Sequence, residues 1–373
     1  MVPNQNRKVR LVAPRVADDV AVDLEDVLKS GHLVQGERVY QFERAIRELL
    51  KVKSAVAVSS GTAALHLSLM SLGIGEGDVV LLPAFTFPST ANVVEQLGAR
   101  VRFVDVDADT FNIQTENLKS QYRDECRVVI PVHLFGVPVD MDPIVEFSKD
   151  RGLSIIEDAA CALGAMYGSR MCGAIGDIGC FSFHPRKIIT TCEGGLVTSQ
   201  NPELSERVMS LRDHGFIGGE GGKDIAVPGL NYRMTELHAA VGISGLKMLG
   251  QELEARRKLA SLYDERLRGV PGIRMQRVPE GSQRVHQSYT VILPEGTQRD
   301  MVISKLRTMR IEATIGTYAV HLLSYYKKKY GTSIHDYPNA TLLGRCAVTL
   351  PLHSGMNEAD VDYVVSCLKK AMS

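Results

Sequence analysis

The sequence predicts an α/β fold, with a large domain on a mostly parallel sheet covered by helices and a smaller C-terminal α+β domain. Near-continuous apolar runs, among them DVVLLP, RVRFVDV, CRVVIPV and LSIIED, alternate with stretches of helical periodicity. Strands of that kind belong to a parallel sheet buried on both faces. Beyond Lys247 the pattern changes to a long polar helix and then to shorter strands and helices. This change sets a boundary near residue 246 and divides the chain into 1–246 and 247–373.

Taken in order, DDVAVDLEDVLKS at 18–30 has helical spacing with acids in front, and GHLVQGERV is a loop before the helical YQFERAIRELLKV. SAVAVSSGTAALHLSLMSLGI is a short β-branched run, a turn at Ser59-Ser60-Gly61, and a helix starting near Thr62. A strand feeding a glycine turn and a helix N-terminus aims amides at one spot and suits an anion such as phosphate; an ordinary capped βα turn has the same appearance. Ligands of parallel sheets sit beyond the carboxyl ends of the strands. The Ser60 turn, Phe85-Thr86-Phe87, His133 and Asp158 occupy those ends and are expected to converge on one crevice. Further on, NPELSERVMSLRDHGF predicts a helix, and six glycines between Gly215 and Gly229 predict a mobile flap or partner-contacting loop before a new helix at TELHAAVG.

Composition narrows the class. Lys and Arg number 43 against 43 Asp and Glu, so no long-range field draws nucleic acid or an anionic membrane. The seven cysteines form no CxxC pair, which argues against a disulfide framework and a metal site. No signal peptide and no run of about 18 apolar residues is present. These features predict a cytoplasmic protein whose cysteines are mostly small buried hydrophobes.

The organising stretch runs from Asp158 to Gly195. It offers Asp158 at the end of an apolar strand, then Ser182 and Lys187 in CFSFHPRK, 29 positions later for the lysine. Together these are a carboxylate for a ring nitrogen, a hydroxyl for a phosphate and an amine for an aldehyde, the groups that hold pyridoxal 5′-phosphate. A desolvated Asp158 stays ionised only with a cationic partner, which a protonated pyridine nitrogen supplies. An amine meant for imine formation must be able to lose its proton, which partial burial favours, and can then move protons as base and acid. Each group also has a plain structural reading. Asp158 would cap the following segment beside a solvated Glu157, Ser182 would bond a neighbouring carbonyl, and Lys187 would be a solvated partner of Arg186.

At FSFHPRKIITTCEGG the sequence resembles the DegT/StrS family of pyridoxal-phosphate-dependent nucleotide-sugar aminotransferases, of the aspartate aminotransferase fold type I. GHLVQGERVYQFE, SSGTAALHL, PAFTFPSTANVV, VHLFGVPVDMD, EDAA, LRDHGF and GLNYRMTELHAAVG resemble its other motifs in the family's order. The resemblance implies a seven-stranded sheet, with Lys187 as the Schiff-base lysine, Asp158 as the partner of the ring nitrogen and Ser182 as a phosphate ligand. It further implies that Gly61, Thr62 and Ala63 form the phosphate turn and that Phe87 stacks on the ring. Asn231 would reach the phosphate of the neighbouring subunit in a homodimer with shared sites.

Two departures stand out. Cys161 replaces the family's usual Gln near the cofactor's phenolic oxygen, and Cys192 replaces a Gly, the residue that best tolerates positive φ. On the substrate side the resemblance points to Arg186, His214, Tyr318 and His321, with Tyr325 and Thr317 beside them, although packing explains the aromatic residues equally. Arg186, Arg212 and Lys223 are cation candidates for a diphosphate. The implied reaction moves an amino group from glutamate to a keto carbon of a nucleotide-linked hexose. A cyclitol or aromatic-precursor aminotransferase, or a non-catalytic pyridoxal-phosphate sensor, shares the same motifs.

Overall fold

The computed structural model describes residues 8–217 and 224–373. Its centre is a seven-stranded sheet of β1 (Ser54–Val58), β2 (Val79–Pro83), β3 (Arg100–Val104), β4 (Cys126–Val129), β5 (Ser154–Asp158), β6 (Ile178–Ser182) and β7 (Gly195–Ser199). In space the order is β1-β7-β6-β5-β4-β2-β3. β3, β2, β4, β5 and β6 pair in parallel, whereas β7 runs antiparallel to both β6 and β1. All strands but β7 therefore point the same way, and the Ser60 turn, the 85–87 loop, Asp158 and Ser182 emerge at one edge. The apolar content of the strands reflects burial on both faces, with β2 buried at every position.

The helices α1 (Val20–Ser30), α2 (Glu37–Leu50), α3 (Gly61–Ser71), α4 (Ser89–Gln96), α5 (Thr115–Gln121), α6 (Met141–Arg151) and α7 (Pro202–Arg212) precede a long α8 (Glu236–Leu267). α8 is capped by the side chain of Thr235 and runs for 32 residues from Glu236, straight through residue 246. The expected separate helices at TELHAAVG and beyond Lys247 are thus one element. Gly242 and Gly245 lie inside this helix and serve its packing. A Cβ on Gly242 would meet Phe42 and Thr191 at 2.7 Å, and one on Gly245 would meet Ile189 at 3.1 Å.

The C-terminal part holds a four-stranded antiparallel sheet of β8 (Arg274–Met275), β9 (Tyr289–Ile292), β10 (Thr314–Ile315) and β11 (Ala347–Leu350), in the order β8-β9-β11-β10. α9 (Arg299–Thr308), α10 (Ser324–Tyr330), α11 (Pro338–Cys346) and α12 (Glu358–Met372) complete it. The core of this part joins the end of α8 to α9 and α12 and also takes in Val9, which bridges to Ile311. Tyr318–Ala319 reaches back to the large sheet side and pairs with Phe85–Thr86. That pairing brings the C-terminal part against the loop that carries Phe87.

Candidate active site

Asp158 ends β5 with only 6% of its surface exposed. Its Oδ2 accepts from the Thr90 hydroxyl at 2.9 Å and its Oδ1 from the Ala160 amide at 3.2 Å. Both donors are neutral. Burial raises the Asp158 pKa, against the opposing influence of Thr90, the Ala160 amide and Lys187. The Ala160 contact is the local cap expected of an Asp in this position, so the structural and the functional readings of Asp158 coexist.

Glu157 is fully buried, not solvated. Its oxygens accept from the Gly173, Ile175 and Gly176 amides at 2.6–2.8 Å and lie 2.9 Å from His133 Nε2. Alternation along β5 sends Glu157 into this pocket and Asp158 to the other face. His133 consequently belongs to the layer behind the crevice and does not line it. The Val139 amide donates to His133 Nδ1 at 3.0 Å, which leaves that nitrogen without a proton and lets Nε2–H donate to Glu157. Burial likewise opposes charge on the ring, while Cys172 and Glu157 favour it; the Val139 amide decides for the neutral form.

β6 ends at Ser182, directly across β7 from the Ser60 turn, because Ser182, Gly195 and Val58 share one register line. Two glycines make this corner. A Cβ on Gly61 would lie 2.7 Å from Ser182 Cβ, and one on Gly195 would lie 2.2 Å from the Ser60 carbonyl oxygen. Ser60 caps α3 by accepting from the Ala63 amide at 3.0 Å, so Ala63 is engaged within the turn. The Gly61 and Thr62 amides, in the first helical turn, have no acceptor within the helix.

Lys187 is half-buried, and its Nζ donates to Cys161 Sγ at 3.2 Å. Both line a cleft of about 150 Å³ together with Phe87, Arg186 and Thr317. Phe87 is 60% exposed, not core, and its ring meets Tyr318 edge-on at 6.2 Å. Sequence reasoning missed the C-terminal wall, where Gln287, Ser288 and Thr349 stand. It also missed Thr90, whose hydroxyl lies three positions beyond Phe87 in the same motif; a polar side chain at the start of an otherwise apolar helix face was the available signal.

Other expected residues lie elsewhere. Arg212 is 4% exposed and bonds Glu43 at 2.6 Å and the Ala57 carbonyl at 2.7 Å, so it is a structural ion pair and not a free diphosphate ligand. His321 is fully buried against Tyr337, with Nε2 3.2 Å from Thr341 Oγ1, which corrects its reading as a substrate neighbour. Tyr325 donates to Glu95 at 2.8 Å, holding α10 on α4. His214 and Asn231 are exposed in the segment after α7 and are not among the residues that line the cleft, and Lys223 lies outside the described residues. Cys192 is exposed with φ 68°, the left-handed backbone expected at a position where the family has Gly.

A model of the DegT/DnrJ/EryC1/StrS aminotransferase family matches residues 14–369. The chain belongs to this family. It is 36% identical to GDP-perosamine synthase from Caulobacter vibrioides over 90% of this chain and 91% of the relative. It is 33% identical to the spore coat polysaccharide biosynthesis protein SpsC from Bacillus subtilis, over 99% and 98% of the two chains. The PLP-form of the putative sugar aminotransferase Spr1654 from Streptococcus pneumoniae superimposes with a TM-score of 0.91 at 28% identity, covering 98% of this chain and 100% of that one. The protein is a pyridoxal-phosphate-dependent transaminase of fold type I.

The residues present fit that cofactor. The side-chain-free corner at Gly61 and Gly195, the helix amides and Ser182 suit a phosphate. Asp158 is a buried carboxylate whose hydrogen-bond donors are neutral, Phe87 offers an exposed flat face, and Lys187 offers an amine.

Proposed function

We propose that this transaminase moves an amino group from glutamate to a keto carbon of a nucleotide-linked hexose, as a cytoplasmic homodimer with shared active sites. The observation that carries the reading is one cleft in which Lys187, Cys161 and Phe87 from the large sheet side face Thr317, Ser288 and Thr349 from the C-terminal part. The names of the relatives, a GDP-perosamine synthase and a polysaccharide biosynthesis protein, support a sugar nucleotide as acceptor.

Bound pyridoxal phosphate supplies an electron sink that stabilises negative charge on the substrate carbon. Asp158 would hold the ring nitrogen protonated, Ser182 and the α3 amides would anchor the phosphate, and Phe87 would lie against the ring. Lys187 would hold the aldehyde through its amine and would serve as the proton-carrying base and acid, a role worth about 10²–10⁴-fold. Arg186, exposed at the cleft, is placed to meet a diphosphate. Asn231 would complete the phosphate site of the neighbouring subunit. The exposed apolar side chains Val22, Leu28 and Val34 around α1 favour a subunit contact. Seven free thiols suit a reducing compartment.

The test is direct. Protein loaded with pyridoxal phosphate should show a visible band that glutamate bleaches and that Lys187→Ala lacks. Mass spectrometry over a panel of nucleotide-linked keto hexoses should then find one whose carbonyl oxygen is replaced by an amine. Bleaching by glutamate with no aminated sugar nucleotide in the panel would overturn the acceptor class.

A further inference from the structure

We propose that Thr90 is a positioning residue for Asp158, orienting its carboxylate toward the ring nitrogen of the cofactor. The inference rests on the transaminase assignment. Thr90 is fully buried, and its hydroxyl lies 2.9 Å from Asp158 Oδ2. With the Ala160 amide on Oδ1, each carboxylate oxygen is tied to one donor and keeps its remaining lone pairs for another partner. The backbone of Asp158 is pinned as well, its amide donating to the Pro131 carbonyl at 2.9 Å and its carbonyl accepting from the His133 amide at 3.1 Å.

Geometry fixes the donor from two sides. The Thr90 amide donates to the Phe87 carbonyl at 3.3 Å, so a single turn sets both the ring face and the carboxylate partner. On the outer side of α4, Tyr326 donates to Asn92 at 2.6 Å and Tyr325 to Glu95 at 2.8 Å, which locks the helix against α10.

The electrostatics point the same way. A hydroxyl donating to a buried carboxylate favours its charged form. Burial pushes Asp158 toward the neutral acid, and Thr90 is the foremost group opposing it, ahead of the Ala160 amide and Lys187. Glu157 precedes Asp158 on β5, and the Cys180 thiol feels the Asp158 charge from β6. A neutral acid cannot hold a protonated ring nitrogen, so Thr90 widens the pH range over which the cofactor is held.

Titration of the cofactor-free protein with pyridoxal phosphate, followed by absorbance across pH, tests this. Thr90→Val, of the same shape but without a donor, should bind about tenfold more weakly at neutral pH, the lower end expected for a bond to a charged group. Its acid limb, the pH below which cofactor is released, should move up. Thr90→Ser should stay within about threefold of the native protein and keep the native acid limb, since the donor is retained. Thr90→Ala provides a second donor-free variant, and the melting temperature of each cofactor-free protein reports folding. Donor-free variants with the native acid limb, or weakened equally at every pH, would overturn the proposal. So would collapse of both donor-free variants in the cofactor-free melt, which assigns Thr90 to packing. A native chain that takes up no cofactor at any pH overturns the transaminase reading as well, whereas normal native uptake with an unchanged Thr90→Val limb overturns this proposal alone.

Discussion

Asp158 is costly to the protein when no cofactor is bound. Burial raises its pKa, so the native state takes up a proton more readily than the unfolded chain. The stability it contributes is therefore present below the ordinary carboxylate value of about 3.9 and lost as pH rises through the raised one. Asp158→Asn is neutral throughout and escapes that loss. In scanning calorimetry the cofactor-free Asp158→Asn protein should melt above the native protein near neutral pH, with the gap closing toward pH 4, while its cofactor affinity falls. A native melting curve insensitive to this substitution would mean that Asp158 is solvated. Cys161 and Lys187 form the other distinctive pair at this scale. The sequence could mark Cys161 as a departure from the family's Gln, but it could not show that the sulfur takes the lysine's hydrogen bond. That contact depends on the loop after β5 meeting the loop after β6.

At the scale of elements, the site is made by strand ends and by glycines that let backbones approach. Gly195 opens β7 between Ser182 and Val58, and a Cβ there would lie 2.2 Å from the Ser60 carbonyl oxygen. Backbone cannot yield as a flexible side chain can, so Gly195→Ala should destabilise the chain by about 1–3 kcal/mol, the usual range for overpacking. It should also weaken cofactor binding by displacing the phosphate turn. Urea unfolding and absorbance titration measure the two effects; an unchanged midpoint would contradict the close approach. The predicted positions of α1, α2 and α3 agree with the observed ones to within a few residues, because caps, turns and apolar spacing are local signals. β7 had no such signature: GLVTS carries the same apolar pattern whether parallel or antiparallel, and pairing partners decide its direction. α8 failed in the opposite sense, since glycines that weaken an isolated helix here admit Phe42 and Ile189.

At the scale of the whole molecule, the C-terminal part supplies the far wall of the cleft, and the Tyr318–Ala319 pairing with Phe85–Thr86 ties that wall to the loop bearing Phe87. If Asn231 serves the neighbouring site, the active particle contains two chains. Sedimentation of the loaded enzyme should show a two-chain species, and Asn231→Ala should weaken cofactor binding without lowering the melting temperature of the cofactor-free protein; a fully active single-chain particle would remove the shared-site reading. Taken by itself, the sequence determined the fold class and the cofactor chemistry, because strand periodicity and the order of short motifs around Asp158, Ser182 and Lys187 are properties of contiguous residues. Tertiary structure alone decided which polar residues face the cleft. Arg212 and His321 are buried among partners far away in sequence, whereas Thr90 is brought to Asp158 across 68 positions. Contacts of that kind follow from how layers pack, and no local pattern of residue types encodes them.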